Sequence, residues 1–278
     1  MFSVSLYAPH YMIVAFAYRN IAKYLTLSLI IFTCQVCALA DVIGYFFALD
    51  ADLHGLEYVA HDMGQPIKVG THLIQRLQLD SHTIYAVKMG SGAAETASSA
   101  QALLSHYRCD WGFSLGPAAT MSALNTGQWY RVGRVMAWQR NNLDSWNTDW
   151  SRLPVANLPP PLNSTGTITV ASGEQFISST GERDHVQALT LADALDMNGF
   201  GLSLVCADHG VPLFSWKIIS DRADENAGED FRAFTTSYKG EGGRALAEII
   251  RNLPANPNDP ASYPAIRKLL QDKPPELP

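Results

Sequence analysis

Long apolar runs that alternate with helical stretches constrain the fold of this chain more than any other feature of its sequence. Val42–Leu49 and Val211–Ser220 are nearly unbroken apolar runs of strand length, which is typical of strands buried on both faces. Ala93–Tyr107 and Leu189–His209 lie between them and have the length and composition of helices. Alternation of this kind predicts an α/β fold with a largely parallel sheet.

Shorter segments extend the prediction over the rest of the chain. We predict strands at Ile67–Val69, His82–Met89, Trp111–Leu115 and Thr167–Ser172, a loop over Asp50–Leu56 and a closing helix at Gly243–Asn252. A length of 278 residues suits one α/β domain, and 47% hydrophobic with 17% charged residues is typical of a soluble globular protein. We therefore predict a single domain over 41–278, with a central mixed, largely parallel twisted sheet flanked by helices.

The first 40 residues have the three parts of a secretory signal. Arg19 and Lys23 precede the apolar run Tyr24–Cys37, and Ala38–Ala40 gives an A-x-A cleavage site. The run is shorter than the roughly 20 residues that span a bilayer, which favours cleavage over an uncleaved anchor, the alternative. We expect a mature protein that starts at Asp41, is periplasmic or secreted, and has no membrane segment.

Charge and cysteine content exclude several classes of function. The chain carries a net charge of −6 and no basic run, which argues against binding to nucleic acid. Cys109 and Cys206 both lie in apolar sequence, so we predict buried free thiols, with a disulfide as the alternative in an oxidising compartment. No spacing of Cys and His is typical of a metal site, and we expect neither a metal nor another cofactor.

Residues 138–163 differ in character from the rest. They contain three Trp, five Asn and four Pro but little periodicity, and strand-like sequence resumes directly after them. Long irregular segments in compact domains are often lids or partner contacts. We predict that residues 138–163 form a lid or a contact with a second copy of the chain. At the carboxyl end of the domain, we predict a Pro-rich tail over 253–278.

Four segments in this order resemble the methylthioadenosine/adenosylhomocysteine nucleosidase branch of the nucleoside phosphorylase superfamily: Ile43–Leu56, Val87–Leu104, Gly112–Val135 and Thr167–Asp224. The most specific motifs are SGEQFI at Ser172–Ile177, DMNG at Asp196–Gly199 and KIISDRAD at Lys217–Asp224. Together the segments cover about half of the predicted mature chain. The resemblance implies a nucleoside phosphorylase-like fold, a purine nucleoside as ligand and a homodimer.

For the purine end of the ligand, the resemblance implies that Asp221 is the acid that protonates N7 of the leaving base. Asp221 follows an apolar strand, where desolvation raises the pKa of a carboxyl, and such an acid contributes roughly 10²- to 10⁴-fold. Phe176 is expected to stack on the purine, and the backbone of Ile177 to meet its hydrogen-bonding edge. Ser220 and Ala118 are expected to contact the substrate as well.

At the sugar end, the chain departs from the family. Asp52 stands where the family has a Glu that activates water, and it is about 1.5 Å shorter; Asp50 is a neighbouring candidate, and helix capping is the alternative for both. Met197 is expected to pack on the ribose. Asn198 replaces a Glu that binds two sugar hydroxyls, and Pro117 replaces a small polar residue. A neutral acceptor contributes less than a charged one.

The first loop decides between hydrolysis and phosphorolysis. FALDADLHGL at Phe47–Leu56 is acidic and contains no Arg to bind a phosphate dianion, so water is the predicted nucleophile. We predict an exported purine nucleosidase for an adenosine or methylthioadenosine type of substrate. The alternatives are a nucleoside-binding or storage-type protein that has lost turnover and, less favoured, a phosphate-dependent phosphorylase.

Overall fold

The computed structural model describes residues 41–139, 155–157 and 167–251 of the chain. The strands are β1 Val42–Phe47, β2 Asp62–Met63, β3 Ile67–Val69, β4 His72–Leu79, β5 His82–Lys88, β6 Trp111–Thr120, β7 Trp129–Ala137, β8 Val155–Asn157, β9 Thr167–Ser172, β10 Ala194–Asp196 and β11 Leu213–Asp221. The helices are α1 Asp50–Glu57, α2 Ala93–Leu104, α3 Thr180–Thr190, α4 Gly199–Asp208, α5 Ala227–Ser237 and α6 Glu241–Arg251. None of these helices has the length and apolar character needed to cross a membrane.

The strands form one mixed sheet in the order β2-β4-β5-β1-β6-β11-β7-β9-β10, with β3 on β4 and β8 on β7. Because β10 also pairs with β6, the five strands from β6 to β10 in this order close into a barrel. The α/β class and the mixed sheet are confirmed, but the sheet is less parallel than predicted and is partly closed: β7 is antiparallel to β11, and β10 to β6. Only residues 121–128 connect β6 to β7, and this connection is too short for the crossover that two parallel strands require.

Several element boundaries differ from the sequence prediction. The helix predicted over Leu189–His209 is interrupted. Leu191, directly after α3, has a left-handed conformation (φ 54°) that ends the helix, and the strand β10 then precedes α4. The strand predicted to end at Leu115 continues to Thr120. Asp50–Leu56 is helical from its first residue rather than a loop.

Helices cover both faces of the sheet. On β1, Ile43, Tyr45 and Phe47 pack in one apolar cluster with residues of α1 and α6, whereas Phe46 points to the other cluster with residues of α2 and α4. Every residue of β11 is buried, as the continuous apolar run predicted. Cys109 and Cys206 are buried free thiols, as predicted, and burial raises the pKa of each to about 12.

Helix α6 approaches α1 closely because glycine occupies the contact. A Cβ atom on Gly243 would lie 1.9 Å from the backbone oxygen of Asp52 and 2.7 Å from the nitrogen of Leu56. Both neighbours are backbone atoms of a packed helix, so they cannot rotate away. The short distance between α1 and α6 therefore depends on the absence of a side chain at Gly243.

We predict that Gly243→Ala lowers the free energy of unfolding by about 1–3 kcal/mol, because the added methyl group forces the two helices apart. Urea unfolding followed by circular dichroism measures this change. Gly181→Ala in α3 is the matched control, since a Cβ there meets nothing within 4 Å. Equal stability of the two variants would contradict the predicted contact.

Candidate active site

A cavity of about 520 Å³ lies at the carboxyl ends of β1, β5 and β11. Parallel strands commonly bind ligands at this edge of a sheet. The cavity brings together most of the predicted site residues: Pro117, Ala118, Phe176, Ile177, Met197, Asn198, Ser220 and Asp221. Asp52 is absent from its lining. Within the described ranges, no group of three or more His, Cys, Asp or Glu side chains is placed to hold a metal ion.

Asp221 lies at the end of β11 and is only 1% exposed. The Ser220 hydroxyl donates to its Oδ2 at 2.7 Å, and the Ala223 N–H donates to its Oδ1 at 3.0 Å. Burial raises the pKa of Asp221; these two hydrogen bonds lower it, and the nearby carboxylates of Asp230 and Asp224 raise it further. A buried carboxyl of raised pKa that lines a cavity is suited to donate a proton to a ligand.

An aromatic wall lies in the same cavity. Phe176 is 41% exposed and meets the edge of Phe231 from α5, with ring centroids 5.8 Å apart and planes at 62°. Ile177, the next residue, is buried in a separate apolar cluster with Leu195, which fixes the loop that carries Phe176. The exposed ring is therefore held on a rigid support, as a stacking surface for a flat ligand requires.

Glu174 connects this loop to α2, a role that the sequence prediction did not include. Its Oε1 accepts hydrogen bonds from the N–H groups of Ala93 and Ala94, at the start of α2. Gly92 before them has φ 108°, and a Cβ there would lie 1.9 Å from Glu174 Oε2. The glycine-rich turn is thus shaped around a carboxylate from the loop that carries Phe176.

Asn198 uses both of its amide hydrogens within the protein. Its Nδ2 donates to the carbonyl oxygen of Gly90 at 2.6 Å and to Thr96 Oγ1 at 2.8 Å. Only its side-chain oxygen is left to accept a hydrogen bond from a ligand. Asn198 therefore holds the Gly90–Ser91 turn, which also lines the cavity.

A buried ion pair involves Asp196, two residues before Asn198 in the chain. Lys217 Nζ is 2.6 Å from Asp196 Oδ2, and the two side chains are 3% and 1% exposed. The Gly199 N–H donates to the same carboxylate at the start of α4. A lysine inside an otherwise apolar strand is the sequence signal for such a pair, since a buried charge requires a partner.

The structure does not bring Asp52 to the cavity, and the prediction that it lies there is corrected. Asp52 is fully buried, and its Oδ1 accepts a hydrogen bond from the Tyr238 hydroxyl at 2.5 Å. The difference arises because α1 begins at Asp50. At 3.6 residues per turn, side chains two residues apart point about 200° apart, so Asp50 is exposed and Asp52 faces inward.

Asp50, the second acidic candidate, lies beside the cavity. Its Oδ2 is 2.7 Å from the Nζ atom of Lys88, and both side chains are more than half exposed. Lys88 is the one cationic residue among the described lining residues. Its charge is thus already partnered by a carboxylate.

Burial raises the pKa of Asp52 from 3.8 to about 7. The hydrogen bond from Tyr238 and the backbone N–H groups of Gly243 and Leu49 lower it, and nearby Glu241 raises it. The raised pKa means that ionisation costs more free energy in the folded chain than in the unfolded one.

We predict that the folded protein loses stability as pH rises, because Asp52 favours its protonated form in the fold. The contribution of Asp52 to the free energy of unfolding is fully present below about pH 4. Up to about 4 kcal/mol of this contribution is lost as the pH rises through about 7. Urea unfolding from pH 4 to pH 8 should give a shallower decline for Asp52→Asn than for wild type. Glu57→Gln on the same helix is the control, and it should retain the full decline.

The predicted lid or partner contact over 138–163 falls largely outside the described residues. Residues 140–154 and 158–166, which include Trp146 and Trp150, and the tail over 253–278 are not among them. Trp138 is described, and it packs against the apolar cluster around Ile177. The role of this segment and the homodimer both stay predictions.

Comparison with known proteins agrees with the resemblance seen in the sequence. The model of the phosphorylase superfamily matches residues 151–251. Aminodeoxyfutalosine nucleosidase of Helicobacter pylori is 32% identical over 84 residues, 30% of this chain and 36% of that protein. The Campylobacter jejuni enzyme of the same name is 35% identical over 65 residues, 23% of this chain and 28% of that protein. These matches span about a third of the relatives' length.

Solved structures share the fold over most of the chain. A Helicobacter pylori 5′-methylthioadenosine/S-adenosylhomocysteine nucleosidase superimposes with a TM-score of 0.70 at 18% identity, covering 77% of this chain and 99% of that one. A futalosine hydrolase from the same organism gives 0.66 at 17% identity, covering 84% and 99%. At these identities, the structures establish a common fold.

Proposed function

We propose that this chain is a member of the phosphorylase superfamily, whose model matches residues 151–251, and that it is a purine nucleosidase that hydrolyses the N-glycosidic bond of an adenosine or methylthioadenosine type of nucleoside. The observation that carries the proposal is the buried Asp221 carboxyl of raised pKa, in one cavity with the exposed ring of Phe176. Such an acid and a stacking surface are what protonation of a bound purine requires. The matched relatives named as nucleosidases support the same reaction.

In this reaction, protonated Asp221 donates its proton to N7, and the bond between C1′ and N9 breaks with both electrons going to the base. The sugar becomes an oxocarbenium-like cation, to which water adds at C1′. The proton released by that water passes through solvent and restores the Asp221 carboxyl. The products are the free base and the sugar, and no phosphate or cofactor is consumed.

The charges around the cavity support hydrolysis over phosphorolysis. A phosphate dianion is usually bound by Arg side chains or a positively charged loop. The described lining residues include no Arg, and Lys88 is paired with Asp50. A second anion would compete with that carboxylate for a single ammonium group.

The second candidate function is a nucleoside-binding protein without turnover. It is favoured by the sugar end of the site, where Asp52 is directed away from the cavity and Asn198 supplies a neutral oxygen. A carboxylate near the sugar would stabilise the cationic transition state more than the neutral amide does. The purine end is the same in both functions, so only a measurement of turnover separates them.

We predict that the purified protein releases base from adenosine or methylthioadenosine without phosphate, and that Asp221→Asn lowers the rate about 10²- to 10⁴-fold because the amide cannot protonate N7. Chromatography of the free base, with calorimetry of nucleoside binding, measures both steps. Asp208→Asn, at an exposed position at the end of α4, is the control. The wild-type rate should also fall as pH rises through the raised pKa of Asp221.

The substrate panel should include aminodeoxyfutalosine, the compound in the name of the matched relatives. Tight nucleoside binding with no release of base from any member would overturn the nucleosidase and support the binding protein. Release that requires phosphate would support a phosphorylase.

We also propose that the protein is exported, on the basis of the signal-like sequence over residues 1–40. We predict that the mature chain begins at Asp41. Amino-terminal sequencing of protein from the periplasm or medium of the source cells measures this. Recovery of a chain that still carries residues before Ala38 would contradict cleavage at the predicted site.

A further inference from the structure

The hydroxyl of the buried Tyr238 joins three helices. It donates a hydrogen bond to Asp52 Oδ1 at 2.5 Å and accepts one from the Gly242 N–H at 2.7 Å. Asp52 belongs to α1, Gly242 to α6, and Tyr238 directly follows α5. The Tyr238 hydroxyl therefore connects the end of α5 to both α1 and α6.

Neighbouring residues hold the Asp52 side chain toward Tyr238. A Cβ atom on Gly242 would lie 2.6 Å from Asp52 Oδ1, so α6 packs directly against the carboxylate. Tyr45 faces Asp52 from β1, and Glu241 faces it from α6. Rotation toward the cavity would break the bond to Tyr238 and leave its buried hydroxyl without an acceptor, which is costly.

A row of aromatic rings runs from this point to the cavity. Ring centroids are 5.1 Å apart between Tyr238 and Phe234, 6.3 Å between Phe234 and Phe231, and 5.8 Å between Phe231 and Phe176. Phe231 and Phe176 line the cavity. The row thus connects the buried hydroxyl to the surface on which a purine would stack.

Helix α5 is shallowly packed, and its Phe231 and Phe234 rings are only partly buried. Ala227, at its start, is its one buried residue. The other end is fixed by Tyr238, which is only 6% exposed. The position of Phe231 between these two ends therefore depends on the Tyr238 anchor.

We propose that Asp52 is a positioning residue that, through Tyr238, holds the end of α5 and thereby sets the Phe231 wall of the cavity. It is not the base that activates water. The part of this inference that concerns ligand affinity rests on the nucleoside site proposed above; the part that concerns α5 does not.

Three variants separate positioning from base catalysis. Asp52→Asn retains an oxygen that accepts from Tyr238, whereas Asp52→Ala and Tyr238→Phe each remove the hydrogen bond. We expect the last two to raise the Kd and the KM for adenosine about tenfold or more, with a smaller change in kcat, because loss of a buried bond loosens α5. Asp52→Asn should stay close to wild type, and combining Asp52→Ala with Tyr238→Phe should add little.

A base role for Asp52 predicts the opposite pattern. Asp52→Asn would then be as inactive as Asp52→Ala, KM would be unchanged, and Tyr238→Phe would have no effect; that result would overturn the proposal. Glu57→Gln on α1 is the matched control for a change from carboxyl to amide. Thermal unfolding of every variant identifies any that fail to fold, in which case Tyr238→Phe alone decides.

Hydrogen–deuterium exchange of α5 in the ligand-free protein tests the positioning without any substrate. Amides of α5 should exchange faster in Tyr238→Phe and Asp52→Ala than in wild type and Asp52→Asn, while α3 stays unchanged as an internal reference. Equal exchange in all four proteins would overturn the proposal. Absence of nucleoside binding to wild type would instead count against the proposed function, and the two failures are therefore distinguishable.

Discussion

The buried ion pair between Lys217 and Asp196 determines how the closed part of the sheet and the cavity fit together. Lys217 is in the middle of β11, and Asp196 ends the short strand β10, which also closes the barrel against β6. Removing one partner of such a pair typically costs about 3–5 kcal/mol, because the other charge stays buried and unpaired. The same carboxylate receives the N–H of Gly199, so the pair also sets where α4 begins. Met197 and Asn198 lie between these two contacts and are placed by them.

The two ends of the proposed nucleoside site differ in what their side chains offer a ligand. At the proposed purine end, Asp221, Ser220 and Phe176 line the same cavity, and their contacts with a nucleoside stay predictions. At the sugar end, the acidic side chains are engaged elsewhere: Asp52 by a tyrosine and Asp196 by a lysine. Recognition of the base is therefore supported by more of the site than stabilisation of a cationic sugar.

Sequence reasoning located β1, β5, β6, β9 and β11 and most of the cavity, because continuous apolar runs and short motifs are local signals. It missed β10, whose three residues continue into the apolar α4 and resemble the start of one long helix. It also missed α5, where almost no residue is buried. The direction of Asp52 depends on Tyr238, which is 186 residues away in the chain, and on the residue at which α1 starts. Neither is visible in the local pattern around Asp52.

The hydrogen bonds of Asn198 limit which side chains this position accepts. A carboxylate at this position would face the carbonyl oxygen of Gly90, which the amide nitrogen now approaches to 2.6 Å, and two acceptors at that distance repel each other. An acidic residue here would therefore require the Gly90–Ser91 turn to change at the same time, so the shape of this turn and the neutral amide depend on each other.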